Sequence, residues 1–213
     1  MNDAGIVNKG NELFISYGAR SNDQLLQYYG FVEEDNPHDV YVMPPLREWD
    51  IDALEKACGR VFNSGRLQKL EKAGLLGMSK DEMKLDSSED ENANRRGGVV
   101  ISRSGGLDPA IMTALRALVS SEEEWEEAGE AVGNFFAENS GGNENERLAR
   151  LAAKTALELE LSSKSTTLEY DEQTLRKINS GRSDGLNNND SKLALEFRIE
   201  KKKMLLETIN KLL

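Results

Sequence analysis

Two side chains near the start of the sequence are of types that could do chemistry together. They are Tyr17 and Arg20, within Gly10-Asn11-Glu12-Leu13-Phe14-Ile15-Ser16-Tyr17-Gly18-Ala19-Arg20-Ser21-Asn22-Asp23. A phenol donates and accepts hydrogen bonds while staying uncharged at physiological pH, and a guanidinium can clamp a carboxylate with two parallel bonds. A tyrosine followed by glycine and an arginine-bearing turn therefore sets a neutral polar group beside a fixed cation. Each also has a plainer explanation. Tyr17 could be a strand-end aromatic packed in a core, and Arg20 could fix its own turn or be a solvated loop arginine.

The elements that must position these groups are a strand, a turn and a capped helix. Leu13, Ile15 and Tyr17 alternate with Phe14 and Ser16, which predicts a strand over 13–17 ended by Gly18. Ser21 with Gln24 has the spacing of a capping box, so a short helix begins there, and Gly30 closes it as a left-handed stop. Asn22 belongs to the helix start rather than to a ligand set. The phenol and the guanidinium then stand at the rim of the sheet.

The run 10–23 with Tyr29-Gly30-Phe31 resembles the C-terminal end of a SET domain of the Rubisco large-subunit lysine methyltransferase class. Gly106-Leu107-Asp108-Pro109 with Leu115-Arg116, and Thr166-Thr167-Leu168-Glu169-Tyr170-Asp171, resemble that class in its helical substrate-binding domain. The resemblance implies transfer of a methyl group from S-adenosylmethionine to a side-chain nitrogen of a protein substrate, lysine or in one branch histidine. Such a displacement needs a neutral amine held in line, and positioning can account for much of the rate. By resemblance Tyr17 is the catalytic residue and also touches the cofactor, Ile15 and Arg20 bind substrate, and Phe31 packs near the cofactor's adenine. Without the family, Ile15 would be core and Phe31 a buried anchor after Gly30.

The sequence departs from the family's pattern at one point. It has no Asn-His dipeptide, and its one histidine, His38, follows Pro37 at a loop-to-strand junction. The resemblance therefore implies that S-adenosylmethionine is held mainly by residues not present in this chain, which alone would be inactive. Its start inside a SET domain implies an upstream portion, or a remnant that leans on the helices that follow.

Bulk properties exclude other classes. A chain of 213 residues with net charge −11 is poorly suited to nucleic acid or anionic membrane, so a basic protein surface is the expected partner. Cys58 is alone, which fits a reducing compartment. Cys58 and His38 also offer no metal cluster. No apolar run is long enough to span a bilayer, and the first ten residues do not read as a signal peptide. The expected compartment is cytoplasm or nucleus, or chloroplast if a transit segment lies upstream. Gly97-Gly98 and Gly141-Gly142 lack the lysine and hydroxyl of a phosphate loop and read as hinges.

Along the chain, 1–10 reads as a turn, 33–37 as a loop and 38–42 as a strand ended by Pro44-Pro45. Asp50 caps a helix that stops at Gly59, and Leu67, Leu70 and Ala73 mark another. Residues 79–98 are too polar to bury a core and read as a disordered insertion, followed by an ambiguous apolar run over 99–102. Asp108-Pro109 opens a helix with an apolar stripe. Ser121 opens one carrying Trp125, Val132 and Phe136 inward, and its Glu122–Glu127 run reads as a solvated face. A long helix is expected over 145–161. Thr166 with Glu169 suggests a capping box for a helix through Ile178, and the last helix covers 191–213. The expected fold class is mainly α, a helical domain over 46–213 preceded by a small β-containing remnant over 1–45. Two functions remain open: the C-terminal portion of a SET-type protein-lysine methyltransferase, or a noncatalytic helical interaction module derived from that family.

Overall fold

The computed structural model describes residues 16–77, 98–138, 142–181 and 189–212. Local chemistry sets most element ends. Helix α1 (Asn22–Tyr29) starts in a complete capping box, in which the Gln24 amide donates to Ser21 Oγ and the Ser21 amide to Gln24 Oε1. It ends at Gly30, whose φ of 71° suits a residue without a side chain. Asp50 caps α2 (Ile51–Cys58), and Asn63 caps α3 (Ser64–Lys72).

Strands β1 (Val40–Met43), β2 (Val99–Ser102) and β3 (Gly106–Leu107) form an antiparallel sheet in that order, with Val40 opposite Ser102 and Met43 opposite Val99. The apolar run 99–102 is thus the middle strand. The sheet joins a strand from before residue 45 to two from well after it. Gly98 makes the close approach: a Cβ there would lie 2.1 Å from the Met43 carbonyl oxygen. Of the expected insertion over 79–98, only Gly98 lies within the described residues.

Asp108 caps α4 (Pro109–Val119) with Pro109 in its first turn. This helix is the centre of the core: Ile111, Ala114, Leu115 and Leu118 are buried, and it packs on α6 (Val132–Glu138), α7 (Gly142–Ser162) and α3. The buried face of α7 carries Ala149, Ala152, Ala153 and Ala156, so α2 and α4 can both pack against it closely. Helices α8 (Leu168–Asn179) and α9 (Asn189–Lys211) pack on one another, and α9 also lies across the sheet. The protein is mainly helical with a small three-stranded sheet.

Three expectations change, and a fourth lies largely outside the described residues. The strand over 13–17 falls largely outside the described residues, and Ser16 and Tyr17 are irregular. The first strand runs over Val40–Met43, a shift toward the apolar end. The helix from Ser121 is two helices, α5 (Glu122–Ala128) and α6, because Gly129 takes a φ of 55° and a ψ of −120° that helix cannot continue through. The cap of α8 is Thr167, which accepts from the Tyr170 amide, while the Thr166 hydroxyl is used by Lys202 and Arg198.

Candidate functional site

The turn bearing Tyr17 is built from short-range bonds. Gly18, at a φ of 76°, donates its amide to Ser16 Oγ, and its carbonyl accepts from the Arg20 amide at 3.0 Å. Arg20 folds back, its Nε donating to the Tyr17 carbonyl at 3.0 Å. Of the roles open to it from sequence, this is the fixing of its own turn.

Beneath the turn lies a buried polar network. Asn22 is fully enclosed: its amide donates to Asp39 Oδ1 at 2.9 Å, its Nδ2 to the Glu33 carbonyl at 2.9 Å, and its Oδ1 accepts from the Glu33 amide. Asn36 Nδ2 donates to the Arg20 carbonyl at 2.9 Å. The network ends on α9, where Lys201 Nζ donates to Asp39 Oδ1 at 2.8 Å, Asp23 Oδ2 at 2.6 Å and the Val40 carbonyl at 2.6 Å. Asp39 is fully buried and Lys201 nearly so. Charges in such a place persist only when paired and hydrogen-bonded.

Three rings gather at the surface end of this support. Tyr17 lies 4.5 Å from Tyr29 and 5.4 Å from Phe31 between ring centroids, both tilted. Tyr17 is 43% exposed, so its ring is not sealed inside the helical layer. A Cβ added at Gly18 would meet nothing within 4 Å, so that flank of the turn is open. Phe31 is half-buried, and Ile15 lies outside the described residues. The structure thus brings Tyr17, Arg20 and Phe31 together. His38 is exposed on the loop before β1.

Past Phe31, a cleft of about 350 Å³ runs between Val32 and Glu34 on one side and Leu175, Ile199, Glu200 and Lys203 on the other. Burial alone would lower the Lys203 ammonium, but Glu200, Asp35 and Glu34 outweigh it and raise it. Glu200 is itself held by Arg103, Nη2 to Oε2 at 2.7 Å. Elsewhere, burial pushes the Cys58 thiol up, and no group of three or more potential metal ligands occurs among the described residues.

The Thr166–Asp171 stretch also proves to be an anchoring site. Asp171 accepts from Lys202 Nζ at 2.6 Å and from Arg198, and Lys202 donates to the Thr166 carbonyl at 2.6 Å. Burial raises the Asp171 carboxyl, but the bonds from Lys202, Arg198 and Thr166 prevail and hold it below its usual range. Asp108 and Arg116, from the other family-like stretch, cap α4 and pair with Glu146.

The sequence model of the Rubisco LSMT substrate-binding family matches residues 64–205. The chain belongs to that family. The match takes in α3 to α8 and most of α9, including Asp171, Lys201 and Lys202. Among similar proteins, "N-lysine methyltransferase setd6" of Salmo salar is 32% identical over 143 residues, 65% of this chain and 26% of that protein. "Ribosomal lysine N-methyltransferase set10" of Schizosaccharomyces pombe is 43% identical over 60 residues, 25% of this chain and 11% of that protein. The chain therefore spans about a quarter or less of the length of these curated relatives. They are lysine methyltransferases, and the resemblance to SET-type methyltransferases is shared by this family member. The name of the family's domain fits a protein substrate. Among the described residues, no helix is long and apolar enough to cross a membrane.

Methyltransferases of the SET type use S-adenosylmethionine. The rings of Tyr17 and Phe31 beside the open flank of Gly18 form an aromatic surface whose chemistry is compatible with a flat ring or a sulfonium cation.

Two classes of residue escaped the sequence. Asp39, the partner of Asn22, read as part of a strand, and Lys201 and Lys202 fell within the predicted last helix without a role. One signal was present. Glu200-Lys201-Lys202-Lys203 fills a whole helical turn between Ile199 and Met204, so a helix packed on two sides must turn some of these charges inward.

Proposed function

We propose that this chain is the C-terminal portion of a protein-lysine N-methyltransferase, with the end of a SET domain over 1–45 and the helical substrate-binding domain over 46–213. Tyr17 is the catalytic residue and flanks the cofactor with Phe31, while Ile15 and Arg20 shape the pocket for the target side chain. The observation that carries this is the presentation of Tyr17: its ring is open to solvent in an aromatic cluster, on a turn tied down by the buried Asn22–Asp39–Lys201 network. Rigid support of an exposed polar group costs buried charges that a mere surface aromatic does not need.

S-adenosylmethionine supplies an electrophilic methyl when bound, and polypeptide outside this chain holds most of it. The chain's own task is orientation. The phenol of Tyr17 hydrogen-bonds the incoming amine, and Arg20 keeps the Tyr17 carbonyl, and so the ring's base, in one place. Proximity of this kind is worth several orders of magnitude in rate.

The test uses the longest native polypeptide that contains this chain, identified by its mass in its own cells. Tyr17→Phe is expected to lower methyl transfer about a hundredfold, the cost of losing one positioned hydrogen bond. Undiminished turnover would remove Tyr17 from the role.

A second reading, a noncatalytic interaction module, is favoured by one observation: the family match begins at residue 64, beyond the Tyr17 turn. It predicts that the same polypeptide binds its protein partner yet transfers no methyl group with either tyrosine or phenylalanine at position 17.

A further inference from the structure

On the other end of β1 from Asp39, about 13 Å along the strand, is a small cavity of about 160 Å³. It is lined by Met43, Pro44, Trp49, Ala156 and Leu159 together with the acidic residues Glu48, Asp50 and Glu160. Sites for drug-sized molecules start near about 300 Å³, so this one suits a single side chain. The indole is fixed, since Trp49 Nε1 donates to the Pro44 carbonyl at 2.8 Å. Leu159, 38% exposed, leaves an apolar edge in solvent.

The chemistry of the walls selects the occupant. An aliphatic stem is covered by Met43, Trp49 and Leu159, and a positive head meets a carboxylate beside an aromatic ring. The protein already shows the pattern once. Lys164 Nζ donates to Glu160 Oε1 at 2.5 Å and lies 5.4 Å from the centroid of the Tyr41 ring, whose hydroxyl donates to the same carboxylate. Lys164 neutralises Glu160, and Asp50 Oδ1 is taken by the Ala53 amide at the start of α2, so the exposed Glu48 is the carboxylate left to meet a positive head.

We propose that this cavity is a docking pocket for one lysine side chain of the protein substrate, distinct from the lysine that is methylated. It rests on the reading that the partner is a protein, and it names that partner's chemistry: an exposed lysine on a basic surface, in keeping with the chain's net charge of −11. The pocket lies on the face formed by β1, α2 and α7, away from the Tyr17 turn, so it selects which protein is held rather than which nitrogen reacts.

The test is a titration of the 213-residue chain followed by the indole N–H signals of its two tryptophans in two-dimensional NMR. The probes are the peptide acetyl-Ala-Ala-Lys-Ala-Ala-amide and the same peptide with norleucine, which keeps most of the stem and lacks the charge. The lysine peptide is expected to move the Trp49 signal saturably with a dissociation constant on the order of 1 mM, leaving Trp125, among Phe136 and Arg66, in place. Glu48→Gln, at an exposed residue, is expected to weaken this roughly two- to fivefold. Equal binding of the norleucine peptide, no saturable shift, or an unchanged constant in Glu48→Gln would each overturn the proposal. No methyl transfer enters the measurement, so such a failure leaves the assignment of Tyr17 untouched.

Discussion

Lys201 illustrates what a single buried charge does here. Its ammonium is shared by Asp39, Asp23 and the Val40 carbonyl, so removing it leaves the fully buried Asp39 carboxylate without its cation. Lys201→Met is expected to cost about 3 kcal/mol of stability in urea unfolding, the scale for breaking one partner of a buried pair. It should also raise amide exchange in residues 18–22 and 33–39, because their carbonyls and amides meet through Asn22, Asn36 and Asp39. A change below about 0.5 kcal/mol, the size expected of a surface position, would show the pair to be solvated. The Ser21 capping box was legible in the sequence, since both its bonds span three residues and obey local geometry. The Lys201–Asp39 bond spans 162 residues, and no local rule connects the two. For Arg20 the sequence left two roles open, and its Nε bond to the Tyr17 carbonyl shows the turn-fixing one, while Asn36 holds the Arg20 carbonyl from across the turn.

At the level of elements, glycines and caps explain where the sequence was a good guide. Gly30 and Gly59 end α1 and α2 with positive φ, as their spacing from the apolar stripe implied. Gly129 was harder to read, because the apolar residues Trp125, Val132 and Phe136 keep helical spacing across a real break. Thr166 and Thr167 both offer a cap hydroxyl, and only the lysine and arginine of α9 decide which is left free to cap. The β1–β2 pairing depends on Gly98. Gly98→Ala is expected to lower stability by about 2 to 4 kcal/mol, since the methyl would overlap the Met43 carbonyl at a φ of 122°; a melting temperature equal to the parent's would contradict this. The α8–α9 contact has a pH signature. The Asp171 carboxyl lies below its usual range when folded, so its contribution is complete above about pH 4 and is lost as pH falls through the folded value. Asp171→Asn is expected to cost about 3 kcal/mol at neutral pH, with the difference from the parent vanishing in acid. A difference that stays constant from pH 7 to pH 2 would show that the carboxylate charge is not what matters.

For the molecule as a whole, the mainly helical class was legible from periodicity alone, but the union of the sheet with α9 was not. Strands 40–43 and 99–102 sit on either side of α2, α3 and a polar stretch of sequence, and their pairing needs the tertiary fold. In the proposed assignment the described residues supply one aromatic wall of a methyl-donor site, so calorimetry of this chain with S-adenosylmethionine is expected to give no binding tighter than about 0.1 mM. A micromolar constant would mean that these residues form a donor pocket by themselves. One feature of α9 bears on how the protein is made. Its Lys201 leaves the ribosome 162 residues after Asp39, which at about 5 to 20 residues per second is roughly ten to thirty seconds later. Throughout that interval the Tyr17 turn has no cation under it, so a nascent chain stalled before α9 would display a loose aromatic cluster to chaperones and proteases. Completion of α9 is then the event that matures the Tyr17 turn.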